Sequence, residues 1–303
     1  MSREKFVTEA SIARKIANGF GRGYREGYTP WVRVAKGQLS SKGVSSIVQN
    51  ATLGRAHHCL SLGELGLLLV QLRLRPWDAR EQFPLSRHGG DHPLLASGIP
   101  VPTAQLLNLP RNRGTLDISR RLGVAHPRCN KTGAVLVLST DLVVTTVQHS
   151  GTPGLFARAF KLSHQLRGKG AKRTVQKLEI ERRYWAELNV PWELVTELDI
   201  CTDLILNLGW LYSYADLSAA HRPNLIPVLP EFLLRVPHVC WEKPLRRCIA
   251  QVARAVQVDY EDGVALFRHA LWRRLLAADL NRRIKLTKPL PSVRLAAAVN
   301  RLA

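Results

Sequence analysis

A chain of 303 residues, 46% hydrophobic and 22% charged, has the composition of a folded protein of one large or two ordinary domains, which excludes a disordered tail. Its 44 Lys and Arg against 23 Asp and Glu leave a formal charge of +21. Such a surplus repels itself unless it faces a polyanion, so nucleic acid leads the candidate partners.

The longest apolar run, Leu65 to Val70, is too short to span a bilayer. The opening MSREKF lacks the apolar core of a signal peptide. Cys59, Cys129, Cys201, Cys240 and Cys248 form no C-x-x-C pair, which fits neither a disulfide framework nor a structural zinc. The expectation is a cytoplasmic protein that makes no use of a membrane.

In chain order, residues 9–18 (EASIARKIAN) predict a short basic amphipathic helix, followed by a glycine-rich link, GFGRGYREGYTP, ending at Trp31. SLGELGLLLVQLRL, from Ser61, predicts a helix that Pro76 stops, and DAREQFPL predicts a strand leaving it. Residues 86–132 are rich in Pro, Gly, Arg and His with weak periodicity and predict a long inserted excursion. From Ala134, AVLVLSTDLVVTTV is β-branched and apolar, a buried strand pair or one long bent strand. HSGTPG then turns the chain into LFARAFKL, a strand of period two. A basic link, LRGKGAKR, leads into a charged helix, KLEIERRYWAELNV, and PWELVTEL reads as another strand. Beyond residue 200 the pattern is helical: LILNLGWLYSYADL, PLRRCIAQVARAVQV and YEDGVALFRHALWRRLLAADL. The last two helices followed by NRRIKLTKPLPSVRL predict a helix-turn-helix with a β-wing.

Four positions in this layout carry chemistry. Asp141 interrupts an apolar strand, where an unpaired carboxylate is expensive. Lys161 falls on the next strand, on the face of Ala157 and Ala159. An acid and a lysine on neighbouring strands form the core of metal-dependent nucleases, the acid holding Mg²⁺ and the lysine steadying or deprotonating the attacking water. The pair also reads as a structural ion pair. Glu64 completes a capping box with Ser61, or projects towards a metal from the first turn of its helix. On the charged helix, Leu178, Tyr184, Trp185 and Leu188 share one arc, with Glu181 near its middle and Glu179 opposite, beside Arg183 in water. Glu181 is then an inward acid or half of a partly buried pair with a neighbouring arginine. His57 and His58 lack a third ligand at useful spacing and read as ordinary polar residues. No P-loop, G-x-S-x-G or Rossmann glycine signature is present.

The ordered blocks IARKIANG…GYTPWVRV, GRAHHCLSLGELGLLL, DAREQFPL, LSTDLVV, KLEIERRYWAELNVPW and NLGWLYSYADL resemble the TnsA family, the endonuclease subunits of heteromeric cut-and-paste transposons. They cover most of residues 10–85 and 134–215. The resemblance implies an α/β chain: a restriction-endonuclease-like domain over 1–199, with 86–132 an insertion, and a helical, winged-helix-like domain over 200–303. It implies a Mg²⁺-dependent enzyme, with Mn²⁺ able to substitute, that cuts the 5′ strands at transposon-end DNA beside a TnsB-type transposase and a TnsC-type AAA+ regulator. Glu64, Asp141, Lys161 and Glu181 fall on the family's catalytic positions. Where the family pattern has glutamine, one residue, then lysine, this chain has Ala159-Phe160-Lys161, so one side-chain ligand is missing and the Phe160 carbonyl is left to assist Glu64 and Asp141. Candidate DNA contacts are Arg167, Lys169, Lys172 and Arg173 in the basic link and Arg282, Arg283 and Lys285 in the expected wing. Ala159 also leaves open a subunit that kept the fold for DNA binding and assembly and lost the nuclease.

Overall fold

The computed structural model describes residues 6–34, 44–99, 108–149, 151–236 and 242–292; Cys240 and the end of the expected wing lie outside them. The chain divides into two compact units, Met1–Asp199 and Ile200–Ala303.

The first unit is a mixed α/β domain. A hairpin, β1 (Ser46–Asn50) with β2 (Arg55–Cys59), stands beside a four-stranded sheet of β3 (Asp78–Pro84), β4 (Ser139–Val147), β5 (Pro153–Phe160) and β6 (Trp192–Val195), in that order. β3, β4 and β5 are antiparallel neighbours, whereas β6 runs parallel to β5. A parallel neighbour needs a crossover, and the charged helix α4 (Ala171–Glu187) supplies it, with α1 (Glu9–Ala17), α2 (Leu62–Arg73) and α3 (Thr115–Arg121) preceding it.

One core cluster joins Val143, Leu155 and Ala157 of the sheet to Ile180, Tyr184 and Trp185 of α4. α2 packs against β3, β4 and β5, and its buried Leu67, Leu68, Leu69 and Leu72 lie outside that cluster. A leucine-rich helix that is apolar most of the way round belongs in such an interior. The described parts of 86–132 pack against the rest of the unit. Leu94, Ile99 and Ile118 join the α4 cluster, and α3 is anchored where Thr115 N–H and Leu116 N–H donate to the Ser86 and Arg87 carbonyls. A seven-residue helix with only Ile118 as a large buried apolar side chain leaves too short a period to read.

The β1–β2 hairpin was also silent, because its inner face is polar. Glu81 of β3 receives Arg55 Nη1 at 3.0 Å, His57 Nδ1 at 2.8 Å and the His58 backbone N–H at 3.0 Å. Burial pushes Glu81 up, but His57 and Arg55 outweigh it and hold the carboxyl at about 2. Asn50 meets the other His57 nitrogen at 3.2 Å, so this histidine is a structural linker.

The second unit is helical: α5 (Thr202–Tyr212), α6 (Leu229–Arg235), α7 (Leu245–Ala255) and α8 (Tyr260–Trp272). The expected β-wing is not formed among the described residues; 281–292 carry no strand. Several of this stretch's backbone groups bond to the helices of this unit. Asn207 of α5 donates to the Leu280 and Arg282 carbonyls at 2.8 and 2.9 Å and accepts from Ile284 N–H. Leu245 and Arg246 N–H, at the start of α7, take the Lys288 and Leu286 carbonyls, while Pro289 and Pro291 have no N–H to offer a ladder. No helix among the described residues is long and apolar enough to cross a membrane.

Candidate active site

Five of the positions singled out in the sequence meet at one end of the β4–β5 pair. Asp141 and Lys161 lie on or just past neighbouring strands: Lys161 Nζ donates to Asp141 Oδ2 at 3.1 Å and to the Phe160 carbonyl at 2.6 Å. Phe160 N–H donates to the same Asp141 oxygen at 2.8 Å, so this carboxylate is aimed by backbone as well as by charge. Burial pushes Lys161 down, yet Asp141, Glu181 and Glu64 outweigh it and hold the amine above its ordinary value. In both of its hydrogen bonds the amine is the donor.

Glu64 enters from the third residue of α2, whose N-cap is Ser61. Glu64 N–H donates to Ser61 Oγ at 3.2 Å, but the returning carboxylate bonds one residue earlier than a capping box does, accepting from Leu60 N–H at 2.9 Å and from the Ser61 hydroxyl at 3.2 Å. The same carboxylate thus caps the helix and faces Asp141. Burial first, and then the Asp141 charge, push it up to about 7. At the preceding residue, Gly63, an added Cβ would occupy the Phe160 ring, so only glycine lets α2 come this close to β5.

Glu181 is 7% exposed on the inner face of α4. It does not pair with an arginine. Its Oε1 accepts from Trp192 Nε1 of β6 at 3.0 Å, and burial followed by the Asp141 charge push it up to about 7. Glu179, on the outer face, pairs with Arg182 and Arg183 at 2.7 and 2.9 Å.

A cleft of about 500 Å³ opens beside Lys161 and Glu181, lined also by Ser139, Arg167, Lys169 and Lys177. Its cations outnumber its single acid, which suits an anionic strand. The predicted contacts divide here. Arg167 and Lys169 line the cleft, whereas Lys172 is exposed outside its lining and Arg173 is tied to the Ala125 carbonyl at 2.6 Å. The last two sit in the first turn of α4, not in a link, because Gly170 at φ 92° starts the helix. Arg282, Arg283 and Lys285 are exposed on the second unit.

Of the three carboxyls here, that of Asp141 is ion-paired with Lys161, while Glu64 and Glu181 lie near enough to raise the amine. Among the described residues no three His, Cys, Asp or Glu side chains form a ready-made metal cluster. The groups that could hold a cation are two carboxylates, Glu64 and Asp141, with the Phe160 carbonyl. All are hard oxygens, which fits Mg²⁺ holding several waters. Ala159, fully buried beside them, adds only a methyl.

The sequence reading missed Gln82 and Ser139. Gln82 Nε2 donates to Glu64 Oε2 at 3.0 Å, and Ser139 Oγ donates to Gln82 Oε1 at 3.1 Å. The available signal was in β3, where Asp78, Arg80, Glu81 and Gln82 are all buried. A strand of seven with four polar residues is not a half-solvated strand with an ordinary alternation.

A family model described as the TnsA-like endonuclease N-terminal region matches residues 104–197, a span that holds Asp141, Lys161 and Glu181 and begins within the 86–132 segment. The transposon Tn7 transposition protein TnsA of Escherichia coli is 31% identical over 257 residues, covering 84% of this chain and 78% of that protein.

Proposed function

The chain belongs to the TnsA family of transposition proteins, and from that premise we propose that it is a Mg²⁺-dependent DNA endonuclease cutting the 5′ strands at transposon ends. It would act with a TnsB-type transposase and a TnsC-type AAA+ regulator. In this reading residues 1–199 form a restriction-endonuclease-like catalytic domain, and 200–303 a winged-helix-like module whose wing is an irregular segment. The observation that carries the reading is the convergence of Glu64, Asp141, Lys161 and Glu181 from separate elements beside a basic cleft.

Glu64, Asp141 and the Phe160 carbonyl would hold the metal, which supplies Lewis-acid stabilisation of the phosphate oxygens. The chain's own residues do the rest. Lys161, kept charged by its acidic neighbours, donates to the attacking water or the scissile phosphate and fixes its position. Glu181, titrating near neutrality beside Lys161, is suited to accept the proton that the water gives up. Arg167, Lys169 and Lys177 hold the phosphates of the strand entering the cleft.

A second reading, a DNA-binding and assembly subunit without nuclease activity, draws on Ala159, which offers no oxygen where a ligand would help. End cleavage in the presence of the partner transposase separates the two. Wild type should cut the 5′ strands and Asp141→Ala should leave them intact while 3′-end joining continues. If wild type also leaves them uncut under these conditions, the assembly reading replaces the nuclease.

A further inference from the structure

Gln82 occupies a conformation that its strand does not need. In the β3–β4 register Glu81 pairs with Leu142 and Phe83 with Thr140, so Gln82 falls across from Asp141. Its φ is 49°, in the left-handed region that side chains with a Cβ avoid. The residues on either side go to different tasks: Glu81 bonds Arg55 and His57 of the hairpin, and Phe83 packs into the α4 core. The left-handed residue between them sends its amide to Glu64. Strain of this kind persists where the surroundings require it, and it clusters at functional sites.

The amide is polarised in one direction. Nε2 donates to Glu64 Oε2, and Oε1 accepts from Ser139 Oγ. Gln82 is 3% exposed, and both ends of its amide are used. With Leu60 N–H on Oε2 and the Ser61 hydroxyl on Oε1, the Glu64 carboxylate is fixed from two sides.

We propose that Gln82, braced by Ser139, is a positioning residue for the metal site, holding Glu64 in the orientation that lets it share a divalent cation with Asp141. The inference rests on the metal-site reading of Glu64 and Asp141 given above. It assigns to β3 the control that Ala159 of β5 is unable to exert.

The test is Mn²⁺ binding to the purified full chain by isothermal titration calorimetry, with circular dichroism and metal-free unfolding to verify folding. Gln82→Gly keeps the left-handed backbone at ease and deletes the amide, while Gln82→Met keeps the volume. Both should bind Mn²⁺ at least about tenfold more weakly than wild type, and Ser139→Ala about threefold more weakly, with metal-free unfolding still cooperative. Wild-type affinity in Gln82→Gly would overturn the proposal and leave Gln82 as packing alone. Should both Gln82 variants fail to fold, Ser139→Ala decides in the same sense, unchanged affinity being the overturning result. Asp141→Asn separates this failure from that of the metal reading. Loss of binding there with normal binding in Gln82→Gly sinks only the role of Gln82; no Mn²⁺ binding by wild type at millimolar metal sinks both.

Discussion

At the scale of single residues the site is governed by burial of charge. Glu181 has its carboxyl pushed up to about 7, against an ordinary value of 4.5. A raised carboxyl binds its proton more tightly in the folded state, so its contribution is fully present below pH 4.5 and is lost as pH rises through 7. The Glu181 share of the metal-free protein's stability should therefore be lost between pH 5 and pH 8, against an opposite change from buried histidines such as His92. In Glu181→Gln, which keeps an acceptor for Trp192 but does not ionise, that loss should shrink by about 2 kcal/mol. Urea unfolding of both proteins at the two pH values measures it, and an equal loss in the variant would mean that Glu181 is already ionised at pH 5. The inward placement of Glu181 was legible from helical spacing alone. Its partner was not: Trp192 lies eleven residues on, across a turn into β6, and spacing along one helix carries no information about what a neighbouring strand delivers.

At the scale of elements, the approach of α2 to β5 sets the site's geometry. Gly63, the neighbour of Glu64, makes room for the Phe160 ring, and Phe160 in turn supplies the N–H that aims Asp141 and the carbonyl that accepts from Lys161. Gly63→Ala should cost about 1–3 kcal/mol by overpacking and should reduce 5′-strand cleavage more than a surface alanine does. Chemical denaturation and the end-cleavage reaction read the two effects separately. Intact cleavage in a destabilised Gly63→Ala would show that the contact is packing only. β5 and α4 were readable because burial of one face imposes a period, and α2 and β4 because a continuous apolar run marks an element buried on most sides. The β1–β2 hairpin and α3 were not. The first is held by a buried carboxylate with its arginine and histidine, and the second is too short for a period to emerge.

At the scale of the whole molecule, the surplus of +21 predicts DNA binding that weakens steeply with salt, by about 0.9 logarithmic units per phosphate contact for each tenfold rise. Removing Arg167 and Lys169 together should flatten that slope by about two contacts, whereas Lys172→Ala, outside the cleft lining, should change it less. Filter binding or anisotropy over a salt series distinguishes these, and equal effects would place the bound strand elsewhere than the cleft. The amino-acid sequence by itself made nucleic acid the leading candidate partner and determined the helical and strand segments with strong patterning and the inward side of α4 on which Glu181 lies, since each is a property of composition or of local pattern. The tertiary structure alone decided that Lys161 bonds Asp141 and the Phe160 carbonyl, that the Glu64 carboxylate caps α2 and also meets Gln82, and that the described segment after α8 bonds to α5 and α7. Those outcomes depend on which groups from distant parts of the chain share one dry volume, and the energy of a charge or an unmet hydrogen bond there is set by its neighbours in space.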